Sequence, residues 1–347
     1  MNNETHEESK HRHLLETNQI STSTGANMVT RVVSSIILLV VGLPAVFAGG
    51  WYFFAIIGIV ALFAIKEMIN VPSKEKMPIS LYFFVYIIAI SMIYWIMIKN
   101  NLIYYDINND ISQNILSTGF SGLSISIILV AISFGVMFLV TIANERFTIK
   151  DVCFYFALTI LLALGFQSLY YIRYLPNSVI FSSLPYYNDP VFKYCTSALL
   201  LIYLFGGTML NDIGAYFVGV LFGKHKMNPR VSPKKTWEGF VGGIIISFVL
   251  SLSIAFISES FGFPLLPGYL DMAHWYYIVL ISIAMPLFTN LGDLAFSAIK
   301  REYQIKDFGN AIPGHGGVLD RIDSLLFSAT GVACLLILIL HNWNFSL

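Results

Sequence analysis

Charge is scarce in this sequence. Asp, Glu, Lys and Arg make up 12% of 347 residues, and twenty residues of each sign cancel to a net charge of zero. Such a composition excludes an ordinary soluble domain, and the neutral balance gives no electrostatic reason to expect a nucleic-acid partner. Cysteine is scarcer still, three residues without a C-x-x-C spacing. Cys153, Cys195 and Cys334 sit in or beside apolar runs and read as small buried hydrophobes rather than thiolate ligands or a redox pair. No internal repeat of fixed period is present. Residues 1–30 form a polar tail of mixed charge, too long and too acidic for a signal peptide, and are expected to be disordered.

Apolar residues are what the chain has in abundance: 56% are hydrophobic and the mean hydropathy is +0.72. Crossing about 30 Å of hydrocarbon takes a helix of ~20 apolar residues. Nine runs approach that length, at 33–49, 51–66, 79–98, 123–144, 152–172, 196–222, 237–258, 275–299 and 324–342. The expected fold is an all-α polytopic integral membrane protein of about nine transmembrane helices. Pro44 and the Ala-Gly-Gly at 48–50 leave little room between the first two runs, which suggests a tight helical hairpin.

With a cytoplasmic N-terminus, nine spans place every Lys and Arg on the inner side except Lys99, Arg173 and Lys193. That asymmetry is what the positive-inside rule requires. The protein would then belong to a bacterial plasma membrane, an endoplasmic reticulum or an organelle membrane.

Residues 31–195 are spans joined by loops with few ionisable groups, and this half reads as packing and anchoring. From 196 to 347 the character changes, with ionisable residues at membrane depth and in glycine-rich inner loops. In "GGTMLNDIGAYFVGVLFGK" (206–224), Asp212 lies twelve residues before Lys224, about 18 Å along a helix. A carboxylate at that depth needs a partner, water or a metal. The structural alternative is a hydrogen bond to another helix, aided by Asn211.

"GKHKMNPRVSPKKTWEGFVGG" (223–243) brings Ser232, Lys234, Lys235 and Thr236 immediately before a helix start. Backbone N–H groups, hydroxyls and ammonium groups there suit phosphate oxygens. Anionic lipid at the inner surface would account for the positive sign alone.

In "TNLGDLAFSAIKREYQIKDFGNAIPGHGGVLDRIDS" (289–324), Asp293 lies about two turns inside its apolar span, and Lys300 and Arg301 follow at the interface. The turn 313–317 contains His315, Gly316 and Gly317, whose glycines allow close backbone approach to a ligand. Asp320 and Asp323, three apart, share a helix face at the mouth of the last span. Three carboxylates at the interface are hard oxygen ligands of the kind Mg²⁺ takes together with water and phosphate. His315 has no second His or Cys nearby, which excludes a transition-metal site by spacing. It reads equally as a loop-fixing hydrogen bond or a phosphate contact.

"SAIKR" (297–301), "KD" (306–307), "IPGHGG" (312–317) and "LDRID" (319–323) together resemble the signature of the phosphatidate cytidylyltransferase (CDP-diacylglycerol synthase) family. "SPKKTWEGFVGG" (232–243) and "NDIGAYFVG" (211–219) resemble its other shared segments. The likeness is sharp over about 196–330 and looser over 33–195. Phe308 stands where bacterial members often have a small residue.

The resemblance implies a nucleotidyltransferase of phospholipid biosynthesis, converting CTP and phosphatidate to CDP-diacylglycerol and pyrophosphate with Mg²⁺ at the cytoplasmic face. Asp293 and Asp320 would bind the metal, supported by Asp323, and Lys300, Arg321 and His315 would join them at the reacting centre. Ser232, Lys234, Lys235, Thr236, Asp212, Arg301, Lys306, Asp307, Gly316 and Gly317 would contact substrate. The family also suggests a homodimer within the membrane. Two alternatives stay open: a CTP-dependent polyprenol or dolichol kinase, which would release CDP, and an ion-coupled transporter whose path would use Asp212 and Asp293.

Overall fold

The computed structural model describes residues 22–72, 79–99, 123–145, 147–178, 190–314, 316–340 and 343. Each of the nine apolar runs is a helix. They are α1 (Thr22–Ala48), α2 (Gly50–Asn70), α3 (Ile79–Lys99), α4 (Leu123–Ala143), α5 (Ile149–Ser178), α6 (Pro190–Phe222), α7 (Trp237–Ser260), α8 (Trp275–Glu302) and α9 (Leu319–Leu340). Six of these contain stretches long and apolar enough to cross a membrane, and α1, α3 and α4 contribute shorter apolar segments. The chain is an all-α membrane protein with one small exception between α6 and α7.

The exception is an antiparallel hairpin, β1 (Lys226–Asn228) with β2 (Ser232–Thr236), which pairs Lys226 with Thr236 and Asn228 with Ser232. The Asn228 side chain accepts the Val231 N–H at 3.2 Å, closing the turn around Pro229. Thr236 then caps α7, its hydroxyl accepting the Gly239 N–H at 3.2 Å.

Helix α1 begins at Thr22, inside the stretch read as tail; residues 1–21 lie outside the described residues. A helix nucleated by an apolar run extends outward at small cost, because each added residue gains a hydrogen bond. The α1–α2 connection is as tight as its sequence implies, with Gly49 at φ +62° and Gly50 at φ +50°. Arg173, assigned by sequence to the start of an outer loop, is instead buried within α5. Its guanidinium donates to the Val46 carbonyl at 2.7 Å and the Phe47 carbonyl at 3.2 Å, satisfying the open end of α1. Of the connection between the third and fourth apolar runs, residues 100–122 lie outside the described residues.

Small residues set a close crossing in the bundle. A Cβ at Gly239 would stand 2.7 Å from the Ala215 carbonyl oxygen, and one at Gly243 2.8 Å from that of Asn211. Helices α6 and α7 thus meet backbone to backbone, the arrangement that favours association where lipid removes the hydrophobic drive. Buried polar pairs tie in α8: Asn290 donates to the Asn211 side chain at 2.9 Å, and Tyr203 shares a hydrogen bond with Ser282 at 2.6 Å. Helix α9 packs on α8 and on α5, so the two halves of the sequence form one bundle around it.

Candidate active site

At the end of the bundle that carries the hairpin, α6, α7, α8 and β2 enclose a cavity of about 500 Å³. Helical spacing explains its lining. On α6, Asp212, Tyr216 and Gly219 follow at intervals of four and three and face the cavity, with Gly223 just past the helix end. On α8, Asn290, Asp293, Ser297 and Lys300 form one stripe at intervals of three, four and three, running from membrane depth to the helix end. The hairpin brings Lys226, Lys234 and Lys235 to the mouth. Lys235 forms an ion pair with Asp293, and the Ser297 hydroxyl donates to the other oxygen of that carboxylate at 3.3 Å. Asp293 and Lys235 are also the charged neighbours of Asp212.

A second charged cluster lies where α8 meets the start of α9. Lys300 Nζ donates to Asp320 Oδ1 at 2.9 Å and stands 3.8 Å from Asp323 Oδ2. The other Asp320 oxygen accepts two loop amides, Phe308 N–H at 2.8 Å and Gly317 N–H at 3.1 Å. Asp323 is buried, with Asp293, Asp320 and Lys300 around it. The Lys300 ammonium lies 5.3 Å from the centroid of the Phe308 ring, itself edge-on to Phe296. The bulky residue that departs from the bacterial pattern therefore covers the lysine by a cation–π contact.

The structure brings together Asp212, Asp293, Lys234, Lys235 and Thr236 around the cavity, and Lys300, Asp320, Asp323 and Gly317 beside it. Thr236 is buried and its oxygen is engaged in capping α7. Arg301 donates to the Val231 carbonyl at 3.2 Å, which pins the hairpin to α8. Ser232 is half-buried in β2, while Lys306, Asp307 and Arg321 are exposed on the loop and at the first turn of α9. Gly316, at φ +88°, accepts the Ile312 N–H at 2.9 Å and closes the glycine turn. His315 lies outside the described residues.

For Mg²⁺, the donor chemistry fits. Among the described residues no three His, Cys, Asp or Glu side chains converge as a ready-made cage. Mg²⁺ does not need one, since one or two carboxylates with water and substrate phosphates complete its shell. Asp293, Asp320 and Asp323 offer only hard oxygen atoms, each beside a lysine that can exchange a carboxylate for a phosphate.

Glu67 is the site-proximal residue that the sequence reading missed. It comes from α2, in the half read as anchoring, and is buried with its carboxylate against the amides that open α9. A carboxylate at the end of an apolar span was the available signal, the same logic that marks Asp212. It is masked by Lys66 beside it, which makes the pair look like ordinary interfacial charge. Ser34 on α1 reaches the same loop, donating to the Pro313 carbonyl at 3.0 Å.

This site geometry accompanies a family match over nearly the whole chain. Residues 29–339 fit the model described as "Cytidylyltransferase family". A phosphatidate cytidylyltransferase of Staphylococcus saprophyticus is 30% identical over 300 residues, covering 86% of this chain and 95% of that protein. The Staphylococcus aureus enzyme of the same name is 29% identical over 304 residues, with the same coverage. The Bacillus subtilis enzyme reaches 47% identity over 117 residues, 34% of this chain and 39% of its own length. Two-thirds and more of the relatives' length is thus matched in the first two, and the chain belongs to the cytidylyltransferase family.

Proposed function

We propose that this protein is a phosphatidate cytidylyltransferase, converting CTP and phosphatidate to CDP-diacylglycerol and pyrophosphate. The observation that carries the reading is the pair of lysine–carboxylate clusters, one lining and one beside a cavity at one end of apolar helices, in a member of this family. One substrate is a lipid phosphate held at the membrane surface, and the other is a soluble triphosphate. Reacting groups for such a pair belong at the depth of Asp293 and Asp320.

In the reaction a phosphatidate oxygen forms a bond to the α-phosphorus of CTP, and the bond from that phosphorus to the bridging oxygen of pyrophosphate breaks. The attacking phosphate is already anionic, so no strong general base is required. The chain's task is in-line positioning and neutralisation of charge. Lys235, at the cavity, and Lys300, beside the start of α9, now rest on carboxylates. Lys234, Arg301, Lys306 and Arg321 add positive charge around the triphosphate and the lipid headgroup. Asp293 and Asp320, with Asp323 behind them, would hold Mg²⁺. Bound there, the ion would supply Lewis-acid charge stabilisation to the reacting phosphates.

The same reading takes all nine helices as spans, with the N-terminus and the site on the cytoplasmic side. Support comes from the Lys and Arg asymmetry and from the Arg301–Val231 bond, which sets the hairpin against the end of α8 where the signature loop begins. A homodimer is part of the proposal on the strength of the family resemblance, and the mass of the detergent-solubilised protein tests it.

The reaction is tested by pyrophosphate release from CTP by purified protein in detergent, with and without phosphatidate and Mg²⁺. Release that needs both, with CDP-diacylglycerol as the co-product, and that disappears in a folded Asp320→Asn variant, is the expected result. CDP in place of pyrophosphate would identify a lipid kinase. A folded protein that binds neither CTP nor phosphatidate would return the transporter reading.

A further inference from the structure

The N-terminal half reaches the signature loop through one buried carboxylate. Glu67, near the end of α2, is 5% exposed. Its Oε1 accepts the Val318 N–H at 2.9 Å and its Oε2 the Leu319 N–H at 2.8 Å, across some 250 residues of sequence. These are amides at the N-terminus of α9, which have no intrahelical partner and carry the positive end of the helix dipole. The next residue is Asp320. Its Oδ2 is held by the amides of Phe308 and Gly317, which leaves Oδ1 turned to Lys300.

Two carboxylates therefore divide the donors of one helix start between them. Glu67 takes the amides on its side, and Asp320 takes the loop amides and keeps one oxygen toward the reacting side. The glycines are fitted to this division. A Cβ at Gly309 would lie 2.5 Å from Glu67 Oε1, and one at Gly317 would lie 2.5 Å from Glu67 Oε2 and 2.9 Å from Asp320 Oδ2. The loop is thus closed around both acids, with Asp320 and Lys66 as the charged neighbours of Glu67.

We infer that Glu67 is a positioning residue for the cytidylyl transfer: by occupying the first amides of α9 it fixes the rotamer of Asp320. Without Glu67, two buried N–H groups at the helix start lack an acceptor. The nearest anion able to serve them is Asp320 itself, one residue on. Turning toward them would withdraw Oδ1 from Lys300 and from the reacting phosphates. A misplacement of about 1 Å at a reacting centre costs on the order of 10²-fold in rate. The inference rests on the reading of Asp320 as a site carboxylate.

The test compares wild type, Glu67→Gln, Glu67→Ala and Asp320→Asn as full-length protein in detergent. Each is scored for thermal melting, for kcat and KM with CTP and with phosphatidate per folded molecule, and for the Mg²⁺ concentration giving half-maximal rate. Glu67→Gln keeps the size and one acceptor oxygen, so it is the variant that preserves the fold. Expected kcat falls about tenfold in Glu67→Gln and on the order of 10²-fold in Glu67→Ala. Both KM values should stay within about twofold of wild type while the Mg²⁺ requirement rises.

A merely structural cap would lower the melting temperature but leave kcat per folded molecule within about threefold of wild type, and that outcome overturns the inference. So would a rise in KM at unchanged kcat. If Asp320→Asn is inactive while both Glu67 variants turn over normally, this inference alone fails. If Asp320→Asn keeps its activity, the site reading fails and takes the inference with it.

Discussion

Two lysines sit on two carboxylates at this site, yet their surroundings differ enough to separate their effects. Lys300 and Asp320 have side chains 12% and 4% exposed, whereas Lys235 and Asp293 are 25% and 33% exposed. Breaking a buried pair leaves an uncompensated charge and costs about 3–5 kcal/mol, while an exposed pair contributes about 0–1 kcal/mol. Lys300→Met, which exposes Asp320 to Asp323 without a cation between them, should lower the melting temperature markedly. Lys235→Met, at a half-exposed pair, should lower it less. Both should lose at least about 10²-fold in pyrophosphate release, since each removes a cation proposed to meet phosphate. Equal melting of the two variants would contradict this division. Residues such as Asp293 and Asp320 were legible in the sequence because a carboxylate inside or beside an apolar span is costly enough to need a reason. Glu67 was not, because Lys66 beside it makes the pair look like ordinary interfacial charge, and sequence carries no mark of which distant N–H groups a side chain will meet.

Elements were legible where burial in lipid dictates them and obscure where polar chain makes local structure. All nine apolar runs are helices, since a backbone in hydrocarbon must satisfy its own hydrogen bonds. The hairpin escaped notice because strands of three and five residues rich in Lys and Pro show no alternation of apolar and polar positions. Its existence changes what the lysines can do: Lys234 and Lys235 stand on a strand pinned by Arg301 and by the α7 cap, so they are held at the cavity mouth. The glycine seam between α6 and α7 sets the width of that mouth. Gly239→Ala should push the two helices apart, because its Cβ would meet the Ala215 carbonyl at 2.7 Å and the Gly219 Cα at 3.1 Å, both backbone atoms. The expected outcome is a lower yield of folded protein and, in what folds, a raised KM for CTP. Gly262→Ala provides a positive-φ control at the far end of α7, where nothing lies within 4 Å of an added Cβ. Backbone strain there should cost stability but leave the KM for CTP alone.

At the scale of the whole molecule, the proposed topology ties the position of the site to the crossings made by α7 and α8. The hairpin precedes α7 and the signature loop follows α8, so two crossings return the chain to the side it left. Arg301, in the last turn of α8, bonds to Val231, so the hairpin lies against the end of α8 from which the signature loop leaves. The segment between α7 and α8 must then lie on the opposite side, separated from the hairpin by the 24 residues of α7, about 36 Å of helix. The proposed topology puts the hairpin and the loop inside, because they carry a concentration of Lys and Arg that resists translocation. In a protein whose own cysteines are replaced by serine, Lys226→Cys on β1 should resist a membrane-impermeant thiol reagent in intact cells and react once the membrane is opened. Met272→Cys, 54% exposed between α7 and α8, should react in intact cells. The reverse pattern would put the site outside, away from the cytoplasmic supply of CTP, and would be incompatible with the proposed reaction in the cell. Labelling of both positions in intact cells would mean that α7 does not span, and the parity argument that joins the nine runs to the site would fail with it.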